Sequence, residues 1–128
     1  MGLDQYAYID AKKVTNQDGD PVTTGSKEYY WRKHSRLQEF MQSKWEDRGH
    51  EHKFNCENLE LNLHDMFQLA EAIHNKYKDF TSDGHFFWGH EYQSEAVTDN
   101  FEQDIDFVID GIRSLLQGKT VIYSCWWL

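Results

Sequence analysis

The chain has 128 residues, with 13 Lys and Arg against 22 Asp and Glu, a formal net charge of −9 and an aromatic share of 16%. That length fits one domain over 1–128, and the many rings supply enough apolar area to argue against disorder. The basic residues are scattered, adjacent only at Lys12-Lys13 and Arg32-Lys33, which argues against a phosphate-binding groove and hence against a nucleic-acid partner. Leu3–Ile9, carrying Tyr6, Tyr8 and Ile9, is predicted to be the first strand, and the polar stretch at about 12–27 a loop or a hairpin turned at Asp18-Gly19. A helix is expected over Glu28–Asp47, because Tyr30, His34, Leu37, Met41 and Trp45 fall on one stripe at steps of three and four, broadened by Trp31 and Phe40. Gly49 marks its end, and Phe54, Cys56 and Leu59-Glu60-Leu61 lead into a strand.

Asn62 suits the N-cap of a second helix, with Asp65 in its first turn and Met66, Leu69, Ala70, Ile73 and Tyr77 buried. Thr81-Ser82-Asp83-Gly84 breaks that helix, and Phe86-Phe87-Trp88 reads as a short strand ended by Gly89. A third helix starts near Thr98 or Asp99, buries Phe101, Ile105, Val108, Ile112 and Leu115, and stops at Gly118. Thr120–Trp127 alternates as a closing strand. The expected fold class is α+β, three amphipathic helices packed on one face of a small, mostly antiparallel sheet. No apolar run reaches the roughly 18 residues of a membrane span, and no basic region followed by an apolar stretch opens the chain. Cys56 and Cys125 lack C-x-x-C spacing and fit buried thiols in a reducing compartment, so a cytoplasmic location without a membrane partner is expected.

Four motifs in order carry a resemblance: Met1-Gly2-Leu3-Asp4, Tyr30-Trp31-Arg32-Lys33 opening a helix, Phe86-Phe87-Trp88-Gly89, and Tyr123-Ser124-Cys125-Trp126. Together they resemble a family of small proteins encoded by tailed phages and some bacteria, across nearly the whole chain. The resemblance implies a phage-type protein of the infected cell's cytoplasm. It implies no reaction. This chain departs from the family pattern in its long polar insert before the first helix and in its Trp126-Trp127-Leu128 ending.

Three clusters are candidate sites. Tyr30, Trp31 and Arg32, with Trp88, would make a pocket for an aromatic or anionic ligand, the guanidinium gripping a carboxylate or phosphate; the plainer alternative is core anchors and a structural ion pair. If the first strand abuts the first helix, His34 as base, Asp4 as its orienting acid and Arg32 as anion clamp would serve a small hydrolase or isomerase. No G-x-S-x-G, P-loop or G-x-G-x-x-G accompanies them. His50, His52, His85 and His90 are the conceivable zinc ligands, although their spacing matches no zinc pattern and no cofactor is expected.

The third cluster is acidic, with Asp99, Glu102, Asp104, Asp106 and Asp110 loading the last helix as a solvated face or a surface for a basic partner. Trp126, Trp127 and Leu128 either close the core or form a contact patch. The reading these features favour is a non-catalytic accessory protein that binds a host or phage protein through Glu102, Asp106, Asp110, Trp126 and Trp127. The alternatives are the small enzyme and the His-rich metal binder.

Overall fold

A computed structural model describes residues 2–80 and 93–128 of the chain. Strand β1, Leu3–Ile9, alternates: Leu3, Gln5, Ala7 and Ile9 are buried, while Asp4, Tyr6 and Tyr8 are partly exposed. A period of two sends successive side chains to opposite sides of a sheet, so β1 divides the molecule into a covered face and an open one. It pairs antiparallel with β4, Lys27–Arg32, on one side and with β6, Val121–Trp127, on the other; β5, Asn58–Leu61, completes the order β4-β1-β6-β5. The covered face carries Tyr29, Trp31, Leu59, Leu61, Val121, Tyr123 and Cys125 into the core. Helices α1 (Ser35–Asp47), α2 (Leu63–His74), α3 (Gln93–Asp99) and α4 (Phe101–Leu116) follow in chain order, giving an α+β fold with an antiparallel sheet. No helix among the described residues is long and apolar enough to cross a membrane.

The expected hairpin is present as β2, Lys12–Thr15, and β3, Pro21–Thr24. Its turn is organised by Asn16, whose side-chain oxygen accepts from the N–H groups of Asp18 at 3.0 Å and Asp20 at 2.9 Å, with Gly19 at φ +83°. The hairpin leans toward the open face, where Asn58 Nδ2 donates to Thr23 Oγ1 at 3.0 Å.

The helix expected over Glu28–Asp47 is a correction. Lys27–Arg32 is a strand, with Tyr29 and Trp31 buried and Glu28, Tyr30 and Arg32 exposed, and the helix starts only at Ser35. Tyr30, Trp31 and Arg32 therefore do not open a helix. Lys33, at φ +55°, takes the chain out of the strand. Three consecutive aromatic residues, Tyr29 and Trp31 on one face and Tyr30 on the other, fit a pleated surface better than a helical stripe.

Helix α2 begins where expected. Asn62 Oδ1 accepts from the Asp65 N–H at 2.8 Å and Asp65 Oδ2 accepts from the Asn62 N–H at 2.9 Å, a reciprocal cap that satisfies two otherwise unpaired donors. Asn62→Ala is expected to cost about 1 kcal/mol and lower the melting temperature by roughly 3–5 °C. An unchanged melting curve would show that the Arg48 guanidinium, which also binds Asp65, holds this end alone. Tyr77 lies past the end of α2, and left-handed Lys76 and Tyr77, at φ 55° and 54°, turn the chain where its ring is fully buried.

The last helix also shifts its buried face. Asp104, Phe107, Val108, Gly111 and Ser114 are buried, Phe101 is 47% exposed, and Ile105, Ile112 and Leu115 only partly contribute to the core. Gly118, at φ +76°, follows as its stop. The Phe86-Phe87-Trp88 strand and the break at Thr81–Gly84 lie outside the described residues.

Candidate functional site

The open face of the sheet is built in cross-strand rows. Asp4 lies between Arg32 and Trp126, Tyr6 between Tyr30 and Ser124, and Tyr8 between Glu28 and Ile122. The Tyr6 and Tyr30 rings sit 5.3 Å apart, and the Tyr30 hydroxyl donates to Asp4 Oδ1 at 2.5 Å, which raises the Tyr30 pKa above its ordinary value. Tyr30 remains 49% exposed and Trp126 43% exposed. Tyr, Trp and Arg are the side chains that most often dominate binding energy at interfaces; Tyr and Trp bring large area with little conformational entropy, and Arg brings a planar fork of donors. The sequence marks Tyr6 and Tyr8 as residues of the first strand and not as site residues, although the period of two in β1 sets them beside Asp4.

On the covered face lies a second polar cluster. Asp104, only 1% exposed, accepts hydrogen bonds from three side chains: Trp31 Nε1 at 2.7 Å through one oxygen, and Tyr77 OH at 2.8 Å and His34 Nε2 at 2.7 Å through the other. It sits in the first turn of α4, where the aligned peptide dipoles favour a negative charge. Gln5, buried in β1, brackets the backbone of His34: its Oε1 accepts from the His34 N–H at 2.8 Å, and its Nε2 donates to the His34 carbonyl at 2.9 Å. The same Nε2 donates to Tyr123 OH at 3.0 Å, Tyr123 OH donates to Gln38 Oε1 at 2.5 Å, and Gln38 Nε2 donates to Cys125 Sγ at 3.2 Å. Burial pushes the Cys125 thiol up to about 12 and holds the Tyr77 and Tyr123 hydroxyls well above their ordinary values. His34 Nδ1 and Ser35 Oγ are buried without a hydrogen-bond partner among the described residues.

These two clusters separate the residues of the expected enzyme pocket. Asp4 and Arg32 occupy the open face, while His34, fully buried, turns its Nε2 to Asp104 beneath the covered face. Asp104, expected on a solvated helix face, is instead the acceptor that His34 uses. Of the ligand-pocket candidates, Tyr30 and Arg32 are exposed, Trp31 is a core residue, and Trp88 lies outside the described residues.

The histidine pair is held by rings. His50 stacks on Trp45 at 3.7 Å and 12°, His52 meets it edge-on at 5.2 Å, and Trp45 Nε1 donates to the His52 carbonyl at 3.0 Å. His52 Nε2 stands 3.4 Å from Glu57 Oε1, and no group of three or more His, Cys, Asp or Glu among the described residues is arranged to hold a metal ion. His85 and His90 lie outside the described residues.

Glu102 and Asp106 are exposed on α4, but Asp110 is engaged: the Tyr29 hydroxyl donates to it, and Lys27 Nζ lies at 3.0 Å. Burial opposes its charge, yet these two partners hold its carboxyl below the usual range. Trp127 packs against the core, its Nε1 donating to the Phe54 carbonyl at 2.8 Å while Asn55 brackets its backbone. Trp126 points the other way, onto the open face. Comparison with protein-family models, curated proteins and solved structures finds no match to this chain.

Proposed function

We propose that this chain is a non-catalytic binding module, a phage-type accessory protein that engages a host or phage protein in the cytoplasm of an infected cell. The observation that carries this reading is the open face of the sheet, where Tyr30 and Trp126, each nearly half exposed, flank Asp4 and Arg32 on a surface that no helix among the described residues covers. A side chain with a large exposed ring on a rigid strand supplies contact area without a matching ordering cost, which is the property of a binding anchor. Glu102 and Asp106 add negative charge on α4, so the partner surface is expected to be basic at its rim. The enzyme alternative loses its support with the separation of Asp4 and Arg32 from His34 across the sheet.

Site-specific photo-crosslinking tests this reading. A benzophenone amino acid at position 30 or 126 should, on illumination of cells making the protein, give discrete adducts with a foreign protein that the same group at exposed Glu71 on α2 does not give. Arg32→Ala should then reduce the adduct yield by about tenfold or more. Adducts from 71 alone, with none from 30 and 126, would overturn the assignment of this face.

A further inference from the structure

Among the described residues strand β4 is an edge of the sheet, and a bond just beyond its end fixes which of its backbone groups face away from β1. The Lys33 N–H donates to the Leu3 carbonyl at 2.9 Å, in the same register that places Trp31 opposite Gln5 and Tyr29 opposite Ala7. The odd-numbered positions of β4 are therefore the ones bonded to β1. In an antiparallel ladder the alternate residues turn their N–H and C=O groups the other way, so those of Glu28, Tyr30 and Arg32 point out of the sheet. Gln103 agrees with this phase, since its Nε2 donates to the Tyr30 carbonyl at 2.7 Å from α4.

The side chains of the same three residues lie on the open face, and their charges are opposite in sign about Tyr30, with an acid two residues before it and a base two residues after. An antiparallel copy of β4 centred on Tyr30 therefore sets each Glu28 directly opposite the second copy's Arg32, with Tyr30 opposite Tyr30. Opposed unlike charges in a cross-strand pair stabilise it, and any other register loses this match.

We infer that the chain forms a two-fold dimer by antiparallel pairing of β4 with β4 about Tyr30. The second copy fits the charge pattern because both partners present it. Acidic α4 does not forbid the contact: the side chain it sends to this edge is neutral Gln103, and Asp110 is already engaged by Lys27 and Tyr29. The other edge, β5, is only four residues long, and Arg48 Nη1 occupies its Glu60 carbonyl at 2.7 Å. A carbonyl has two lone pairs, so the Gln103 amide competes with strand pairing at Tyr30 without abolishing it. The dimer joins two open faces into one continuous surface. It does not depend on any foreign partner.

Sedimentation equilibrium on the full chain from about 1 µM to about 500 µM, with hydrogen exchange read at single amides, tests this. A monomer–dimer equilibrium is expected within that range, with exchange at Glu28, Tyr30 and Arg32 slowing as concentration rises. Glu28→Arg and Arg32→Glu, each creating two like-charge pairs by symmetry, should each weaken the dimer about tenfold, and the two together should return it to within about threefold of the original. Gln103→Ala should strengthen it. Arg32→Glu places an acid beside Asp4; if that variant unfolds, Glu28→Arg, which faces Tyr8, carries the test with the exchange data. The inference is overturned if the chain and Gln103→Ala stay monomeric throughout, or if a dimer forms that neither charge reversal weakens. Either result leaves the crosslinking of a foreign protein unaffected.

Discussion

Asp104→Ala is expected to destabilise the protein by about 3–5 kcal/mol, the range found when one partner of a buried, hydrogen-bonded charge is removed. Three donors, Trp31 Nε1, Tyr77 OH and His34 Nε2, converge on this carboxylate, and all three residues are at most 1% exposed, so none can turn to water once it is gone. An unsatisfied buried donor costs about 1–3 kcal/mol, which makes the loss of three at once larger than the truncated side chain alone would suggest. Urea unfolding with an unchanged dependence on denaturant would locate the loss in the folded state. Asp104→Asn keeps the shape but presents an amide N–H to a set of donors, so it should recover only part of the stability. His34→Ala should also lower stability strongly, as expected of a packing residue, and a double-mutant cycle with Asp104→Ala should give a coupling energy of about 1 kcal/mol or more. A loss below about 1 kcal/mol for Asp104→Ala would mean that solvent or a rearranged neighbour replaces the carboxylate, and the cluster would cease to be an organising feature of the core.

That cluster also marks the limit of what the sequence discloses. Elements that depend on local chemistry were legible: Asn62 and Asp65 declare a helix start, Gly118 declares a stop, and Asp18-Gly19 declares a turn, because each satisfies backbone groups within a few residues of itself. The segment Lys27–Arg32 was not legible, since two patterns overlap there. Tyr30, His34, Leu37, Met41 and Trp45 keep a helical step, whereas Tyr29 and Trp31 alternate with Glu28, Tyr30 and Arg32, and only pairing with distant β1 decides between them.

Asp104 was misread for a related reason. A carboxylate on a helix is usually solvated, and the donors that make its burial tolerable come from positions 31, 34 and 77, far away in the chain. Its place in the stripe with Phe107, Val108 and Gly111 was the available signal. The candidate site followed the same division. The side chains of Asp4, Tyr30, Arg32 and Trp126 were each noticed, but their gathering on one face required the register of three strands. His34 was placed with Asp4 because proximity of strand and helix is all that a sequence can offer, whereas the pleat of β1 turns Asp4 to the open face and left-handed Lys33 carries His34 out of the strand into the core.

The same buried polar chain makes stability fall at alkaline pH. The Cys125 thiol ordinarily ionises at 9.0, and burial raises it to about 12 in the folded protein, with the Gln38 N–H partly offsetting and the neighbouring Cys56 adding to the effect. Tyr123 is raised well above 10.0 by burial and by Cys125, and Tyr77 by burial and by the Asp104 carboxylate. Below pH 9 these groups hold their protons whether the chain is folded or not, and stability does not depend on them. Between pH 9 and about 12 the unfolded chain releases the Cys125 proton while the folded one retains it, so each pH unit above the unfolded value costs about 1.4 kcal/mol, near 4 kcal/mol in all. Above pH 10 the two tyrosines steepen the fall. Urea midpoints measured from pH 8 to pH 11 should therefore be level at first and then decline with increasing slope, and Cys125→Ala, though less stable below pH 9, should lose the portion of the slope that begins near 9. Phenolate absorbance followed alongside should show exposed tyrosines ionising without unfolding, then Tyr77 and Tyr123 appearing together in one cooperative step. A gradual titration of all seven tyrosines in the folded protein would contradict this, because it would mean that water already reaches the space between Gln5, Gln38 and Tyr123.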